Sequence, residues 1–138
     1  MSAQRALVLG AAGQLGKACM ECAPETLATK GFSRVTCDVT DDAALRRAID
    51  EVDPHIVINA AASTAVDAAE DDPDSADAVN AHAPAMLGAL CASRGLRLVH
   101  ISTDFVFDGR AHRPYAPAAD PAPLSVYGAS KWRGEQAV

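Results

Sequence analysis

Residues 5–16 read Arg5-Ala-Leu-Val-Leu-Gly10-Ala-Ala-Gly13-Gln-Leu-Gly16. Arg5 to Leu9 is a short apolar run without alternation, the pattern of a buried strand. After it, Leu15, Ala18, Cys19 and Cys22 recur at spacings of three and four, the stripe of a helix from Gln14 to Ala23 that Pro24 ends. Between strand and helix the glycines follow G-x-x-G-x-x-G, a relative of the dinucleotide fingerprint, in the strand-turn-helix setting that such a motif requires. Each glycine has a steric reason. Gly10 permits a sharp exit from the strand. Gly13, with no Cβ, lets backbone approach a pyrophosphate. Gly16 allows helix and sheet to pack closely. The helix terminus, at Gln14 and Leu15, then offers free N–H groups and a positive dipole to phosphate.

Working outward, strands and helices alternate. Leu27 to Lys30 and Val35 to Cys37 are short strand candidates. Thr40 or Asp41 caps a helix that runs to about Val52, with Ala44, Leu45, Ala48 and Ile49 as its apolar stripe. His55 to Ala60 is a second buried strand. Residues 60–72 form a loop of small and acidic residues. A long helix follows from about Pro73 to Arg94, with Gly95 after its end and a kink or break expected at Pro84. Arg97 to Ser102 is the last strand, residues 103–124 are a proline-containing loop, and a final helix starts near Ser125 and still runs at Val138. Apolar strands interleaved with helices predict an α/β fold. The expected form is a Rossmann-type doubly wound parallel sheet in three α/β/α layers, with its ligand site at the carboxyl ends of the strands.

Composition narrows the function. The 138 residues include 30 alanines and six aromatic residues, so the core is built from small side chains. A formal net charge of −6 argues against a nucleic-acid or anionic-membrane partner. No apolar run approaches the ~20 residues of a membrane span, and residues 1–10 lack the features of a signal peptide, so the expected location is cytoplasmic. Cys19 and Cys22 form a C-x-x-C without the second pair a zinc site needs, and read as small apolar helix residues. His55, His82, His100 and His112 make no ligand spacing, and the acidic run Asp67 to Asp77 reads as solvated carboxylates around a helix start. No metal site is expected.

Two further groups carry chemistry. Lys30, Ser33 and Arg34 stand at the end of the second strand, where an acidic residue would take a ribose diol. Cationic groups there suit a 2′-phosphate and favour NADPH, with NADH as the alternative, and a solvated surface patch is an equal reading of the same residues. Tyr127 and Lys131 are four residues apart and share one helix face. A lysine ammonium near a phenol stabilises the phenolate, so the tyrosine can protonate an alkoxide as hydride reaches its carbon. One element earlier, a strand ends in Ser102-Thr103-Asp104, where a hydroxyl can bind a substrate carbonyl.

Taken together, these features resemble the extended short-chain dehydrogenase/reductase superfamily, and within it the dTDP-4-dehydrorhamnose reductases. The resemblance rests on Val57-Ile-Asn-Ala-Ala-Ala62, Thr64-Ala-Val-Asp67, Glu70, Val79-Asn80, Ile101-Ser-Thr-Asp-Phe-Val-Phe-Asp-Gly109, Pro114-Tyr115, Pro123-Leu124 and Val126-Tyr-Gly-Ala-Ser-Lys131 with Gly134-Glu135. Cys37-Asp38-Val-Thr-Asp41 matches the family's segment beside the adenine. What it implies is NADPH-dependent reduction of the 4-keto group of dTDP-4-dehydro-L-rhamnose by a triad. Thr103 orients the keto oxygen, Tyr127 donates the proton, and Lys131 holds the nicotinamide ribose. Gly10, Gly13 and Gly16 carry the pyrophosphate, Asp38 and Val39 line the adenine pocket, and Ala60, Ala61 and Ala62 pass beside the cofactor. Thr64, Val66, Asp104 and Phe105 lie nearer the sugar nucleotide. Phe105 after Asp104, where dehydratases carry glutamate, implies simple carbonyl reduction. Thr103, where epimerases carry serine, disfavours epimerisation. Asn80 matches a family position, and a helix-packing amide is an equal reading.

The sequence departs from the family at Ser63, Pro117 and Trp132, and above all in length. Family members continue for about as many residues again, so residues 1–138 are expected to be the NAD(P)-binding domain without the C-terminal substrate domain. A homodimer is one arrangement such a chain can take. The resemblance extends to the regulatory subunit of methionine adenosyltransferase, so a non-catalytic binding subunit stays open, as does an inactive cofactor-binding fragment.

Overall fold

Gln4–Leu9 forms the central strand β1 of the computed structural model, which describes residues 4–138. The chain continues as α1 (Gln14–Glu21), β2 (Leu27–Phe32), α2 (Asp42–Val52), β3 (Ile56–Asn59), α3 (Val66–Asp71), α4 (Pro73–Asp77), α5 (Ala83–Arg94), β4 (Arg97–His100) and α6 (Val126–Gln136). A π-helical turn, Ala78–His82, joins α4 to α5, and a 3-10 turn, Asp104–Val106, follows β4. The four strands are parallel in the order β2-β1-β3-β4. The connection from β1 runs to one side and that from β3 to the other, so β1 and β3 flank the point where a doubly wound sheet opens a crevice. The expected Rossmann-type α/β architecture is therefore present. Among the described residues no helix is long and apolar enough to cross a membrane.

The two faces of the sheet are covered unequally. Leu7, Val57 and Leu98 lie side by side in register, and Leu7, Leu9 and Val57 join Leu45, Ile49, Leu87 and Leu90 of α2 and α5 in the main core. On the opposite face Val8 is flanked by Gly31 and Ile58, and Ile58 by Val99. Helix α1 reaches this face through Met20, whose sulfur would lie 2.9 Å from a Cβ on Gly31. Beyond α1, Ile58 is half-buried and Val99 is 46 % exposed.

Several elements differ from the sequence reading. Val35 to Cys37 is a turn, not a strand. Thr36 and Cys37 N–H groups bond the Ser33 carbonyl, and Val35 is left in solvent. The Leu15, Ala18 and Cys22 positions of α1 are exposed, because the helix packs through Gly16 and Met20 instead. Residues 66–71, expected as loop, form α3, whose Ala69 is buried. Pro84 lies in the first turn of α5, and the irregularity expected at it takes the form of the π turn Ala78–His82 directly before. The preceding π turn widens the backbone where the proline ring and missing N–H would disturb the carbonyl of Asn80, and that carbonyl packs on Gly134 of α6. Helix α6 ends at Gln136, where the Ala137 N–H bonds Gly134. The α2 stripe is buried as expected, and Asp41 Oδ1 caps that helix by accepting the Ala43 N–H at 2.9 Å.

Candidate active site

The crevice at the carboxyl ends of β1 and β3 holds a cleft of about 600 Å³. Of the positions expected to bind a cofactor, Gly10, Gly13, Arg34, Asp38, Val39, Ala60, Ala61 and Ala62 line it. Gly10 has φ +78°, and a Cβ there would lie 2.7 Å from the Ala61 nitrogen, so turn and β3 exit demand glycine twice over. A Cβ on Gly16 would sit 2.1 Å from the Gly10 carbonyl, which makes Gly16 a packing residue of the turn and not part of the cleft wall. Gly13 is different. A Cβ there meets only the Gly10 carbonyl, at 3.3 Å, and Gly13 faces the cleft. Among the described residues no side chain caps α1, so the first-turn N–H groups of Gln14, Leu15 and Gly16 have no side-chain acceptor there. An uncapped N-terminus behind a Cβ-free wall fits a pyrophosphate.

At the far end of the cleft, Arg34 stands beside Asp38 and Val39. Ser33 closes a turn with Thr36, whose hydroxyl oxygen accepts the Ser33 N–H at 2.9 Å. Asp38 Oδ1 accepts the Thr40 N–H at 2.9 Å and its hydroxyl at 2.7 Å. These bonds, with the Arg34 charge as a smaller contribution, hold its carboxyl below the ordinary carboxylate range. Lys30 pairs with Glu51 of α2 and lies 5.6 Å from the Phe32 ring centroid, so it is spent outside the cleft. Ala12 of the glycine turn and Cys37 and Thr40 of the adenine-side segment also line the cleft, whereas Ser63, Ser75, Ala78 and Val79 are lining residues that the sequence reading missed. Ser75, Ala78 and Val79 come from α4 and the π turn, which no linear motif connects to the glycine turn. Cys37 is a buried wall residue, its thiol pKa pushed up by burial and by Asp38 and Asp41.

Tyr127 and Lys131 sit on α6, outside the lining of that cleft. Lys131 is only 2 % exposed, and its Nζ donates to the Ile101 carbonyl at 2.6 Å. Burial lowers its pKa, and Glu135 opposes that shift. Thr103 ends the segment after β4 in extended backbone, and its Oγ1 accepts the Phe105 N–H at 3.2 Å. Phe105 then meets Tyr127 edge-on, with ring centroids 5.5 Å apart, while its carbonyl abuts Gly128 so closely that a Cβ would lie 2.2 Å away. The threonine turn and the tyrosine turn are thus packed against each other. Asp104 and Phe105 border a second cleft, of about 310 Å³, with Phe107, Leu124 and Ser125. Val66 instead packs beside Tyr127, and Thr64 is exposed.

A buried amide joins the two halves. Asn80 Oδ1 accepts the Ser63 N–H at 2.9 Å, and its Nδ2 donates to the Ser63 carbonyl and to Ser130 Oγ. Ser130 Oγ donates in turn to the Tyr127 carbonyl at 2.7 Å. The loop bordering the first cleft is therefore tied directly to the helix that carries Tyr127 and Lys131.

Comparison with known proteins agrees with this fold. The sequence profile of the RmlD substrate binding domain matches residues 4–138. The dTDP-4-dehydrorhamnose reductase of Mycolicibacterium smegmatis is 43 % identical over 99 % of this chain and 42 % of its own length. That of Streptomyces griseus is 43 % identical over 97 % of this chain and 44 % of its own. The crystal structure of the Bacillus anthracis dTDP-4-dehydrorhamnose reductase in complex with NADP superposes with a TM-score of 0.94 at 38 % identity, covering 99 % of this chain and 49 % of that one. The chain thus spans about half the length of the relatives it matches. On the sequence match and the shared fold, the chain belongs to the RmlD substrate binding domain family.

Proposed function

We propose that this chain is the cofactor-binding portion of an NADPH-dependent reductase that converts the 4-keto group of dTDP-4-dehydro-L-rhamnose to the alcohol of dTDP-L-rhamnose. The observation that carries the reading is the contact between two sites. A glycine-walled cleft beneath an uncapped helix is tied through Asn80 and Ser130 to a helix bearing Tyr127 and Lys131. The names of the relatives supply the substrate class.

Bound NADPH supplies the hydride for the carbonyl carbon. The chain's own residues handle the rest. The Phe105 N–H fixes the Thr103 hydroxyl oxygen, and the hydroxyl proton, which faces Asp104 Oδ1 at 3.4 Å, turns to the keto oxygen when substrate binds. Tyr127 holds the proton that the developing alkoxide takes. One Nζ–H of Lys131 is committed to the Ile101 carbonyl, and the other two are free for a ribose diol. Gln14, Leu15 and Gly16 present N–H groups to the pyrophosphate, with Gly13 providing room. Arg34 and Ser33 take the 2′-phosphate, and Asp38 and Val39 flank the adenine. Phe105, Asp104, Val66 and Thr64 form the sugar-nucleotide side.

The test is oxidation of NADPH that depends on added dTDP-4-dehydro-L-rhamnose. Substrate-dependent oxidation supports the reading. A protein that binds NADPH and never turns over this substrate would instead fit the regulatory-subunit alternative.

A further inference from the structure

We propose that Glu70 is a positioning residue for Tyr127, its carboxylate capping α6 from a helix 56 residues earlier in the chain. An α-helix begins with N–H groups that its own turns cannot satisfy. At the start of α6 the Ser125 hydroxyl oxygen accepts the Gly128 N–H at 3.0 Å, an ordinary local cap. That leaves the Val126 and Tyr127 N–H groups, of which Glu70 Oε1 of α3 accepts the first at 2.8 Å. The residue whose amide is held is the one immediately before Tyr127. A carboxylate at this end of a helix is favoured by the helix dipole as well as by the bond, and charge-assisted bonds are the stronger class.

The rest of the α3–α4 segment seats the same helix. Ala69 and Ala76 are buried against Tyr127, with Val66 and Val126 packed beside them. Further along, Arg133 Nε donates to Asp77 Oδ1 at 3.2 Å. Helix α6 is therefore gripped at its first amide, at the tyrosine ring and near its end. Of the two carboxylates that α3 and α4 bring to this helix, Glu70 acts on the first turn and Asp77 near the end. Glu70 approaches the phenol only through the backbone, so its effect is on where Tyr127 stands and not on the proton transfer itself. Glu70 is exposed, and water can partly replace it, so the effect is modest.

The kinetic consequence rests on Tyr127 being the proton donor. The geometric consequence does not. The experiment therefore reads both in Glu70→Ala and Glu70→Gln, with Asp77→Ala as the comparison. Glu70→Ala is expected to speed amide hydrogen exchange at Val126 by about two- to fivefold, the range of a helix-terminus charge interaction. It should also move the ring resonances of Tyr127, with exchange in α2 unchanged. Glu70→Gln keeps an acceptor and should restore most of both signals. In the turnover assay kcat should fall by the same factor, with KM and NADPH affinity within twofold of wild type. Unchanged exchange at Val126 and unmoved Tyr127 resonances in Glu70→Ala would overturn the proposal, as would an equal effect from Asp77→Ala. Absence of turnover in the wild-type chain would count against the reductase reading, and the exchange and resonance data would still decide the role of Glu70.

Discussion

Asn80 carries more of this site than its one amide suggests. It is fully buried in a π turn, and it satisfies the Ser63 N–H, the Ser63 carbonyl and the Ser130 hydroxyl at once. Asn80→Ala would leave those groups without partners away from water, a cost of about 1–3 kcal/mol in denaturant unfolding. Turnover should fall too, because the Ser63 loop and α6 would no longer be held together. In the sequence Asn80 could be either a family position or a packing amide, and in the structure its partners make it a clamp. That distinction was illegible beforehand, since Ser63 and Ser130 are 17 and 50 residues away. The glycine turn was legible because its causes are local. The positive φ of Gly10 and the crowding around Gly16 act within a few residues or on the adjacent β3 exit.

Elements were readable where periodicity alone decides them and misread where packing does. Helix α2 shows its buried stripe in sequence, whereas α3 is six residues long and exists because Ala69 and Val66 have Tyr127 to pack against. The pass through Pro84 shows the same limit. Proline predicts a kink or break, and the structure answers with a π turn directly before it, whose Asn80 carbonyl packs on α6. That carbonyl sits where a Cβ on Gly134 would be 2.1 Å away. Ala is the better helix former by about 1 kcal/mol, but a backbone oxygen at that distance cannot yield without moving an element. Gly134→Ala is therefore expected to destabilise the chain, by about 1–3 kcal/mol as overpacking does, and thermal unfolding would show it. A variant as stable as wild type would mean that α6 shifts freely on the π turn.

At the scale of the whole molecule, charge and burial meet at His100. Its Nδ1 lies 3.1 Å from Asn59 Nδ2, its Nε2 is buried without a partner among the described residues, and burial with the nearby Lys131 charge lowers its pKa from 6.5 to about 4. The unfolded chain takes up that proton below about pH 6.5, and the folded chain only near pH 4. Stability from neutral His100 is thus intact above pH 6.5 and is lost progressively as pH falls towards 4. His100→Gln should flatten unfolding curves in that window, whereas Asp38, whose pKa is lowered, acts only at still more acid pH. The fold class followed from strand and helix order. The unequal cover of the two sheet faces did not, since it depends on which helix reaches Val8, Ile58 and Val99. The alanine-rich composition does gain a place, because Ala60, Ala61 and Ala62 line the cleft proposed to take a dinucleotide. The central claim is that this cleft serves a keto reduction in which Tyr127 gives the proton. Its most direct test is NADPH oxidation dependent on dTDP-4-dehydro-L-rhamnose, compared between wild type and Tyr127→Phe alongside NADPH affinity. The account predicts a loss of about 10²–10⁴-fold in turnover, as for a removed general acid, with affinity unchanged. Turnover that survives the substitution would contradict it.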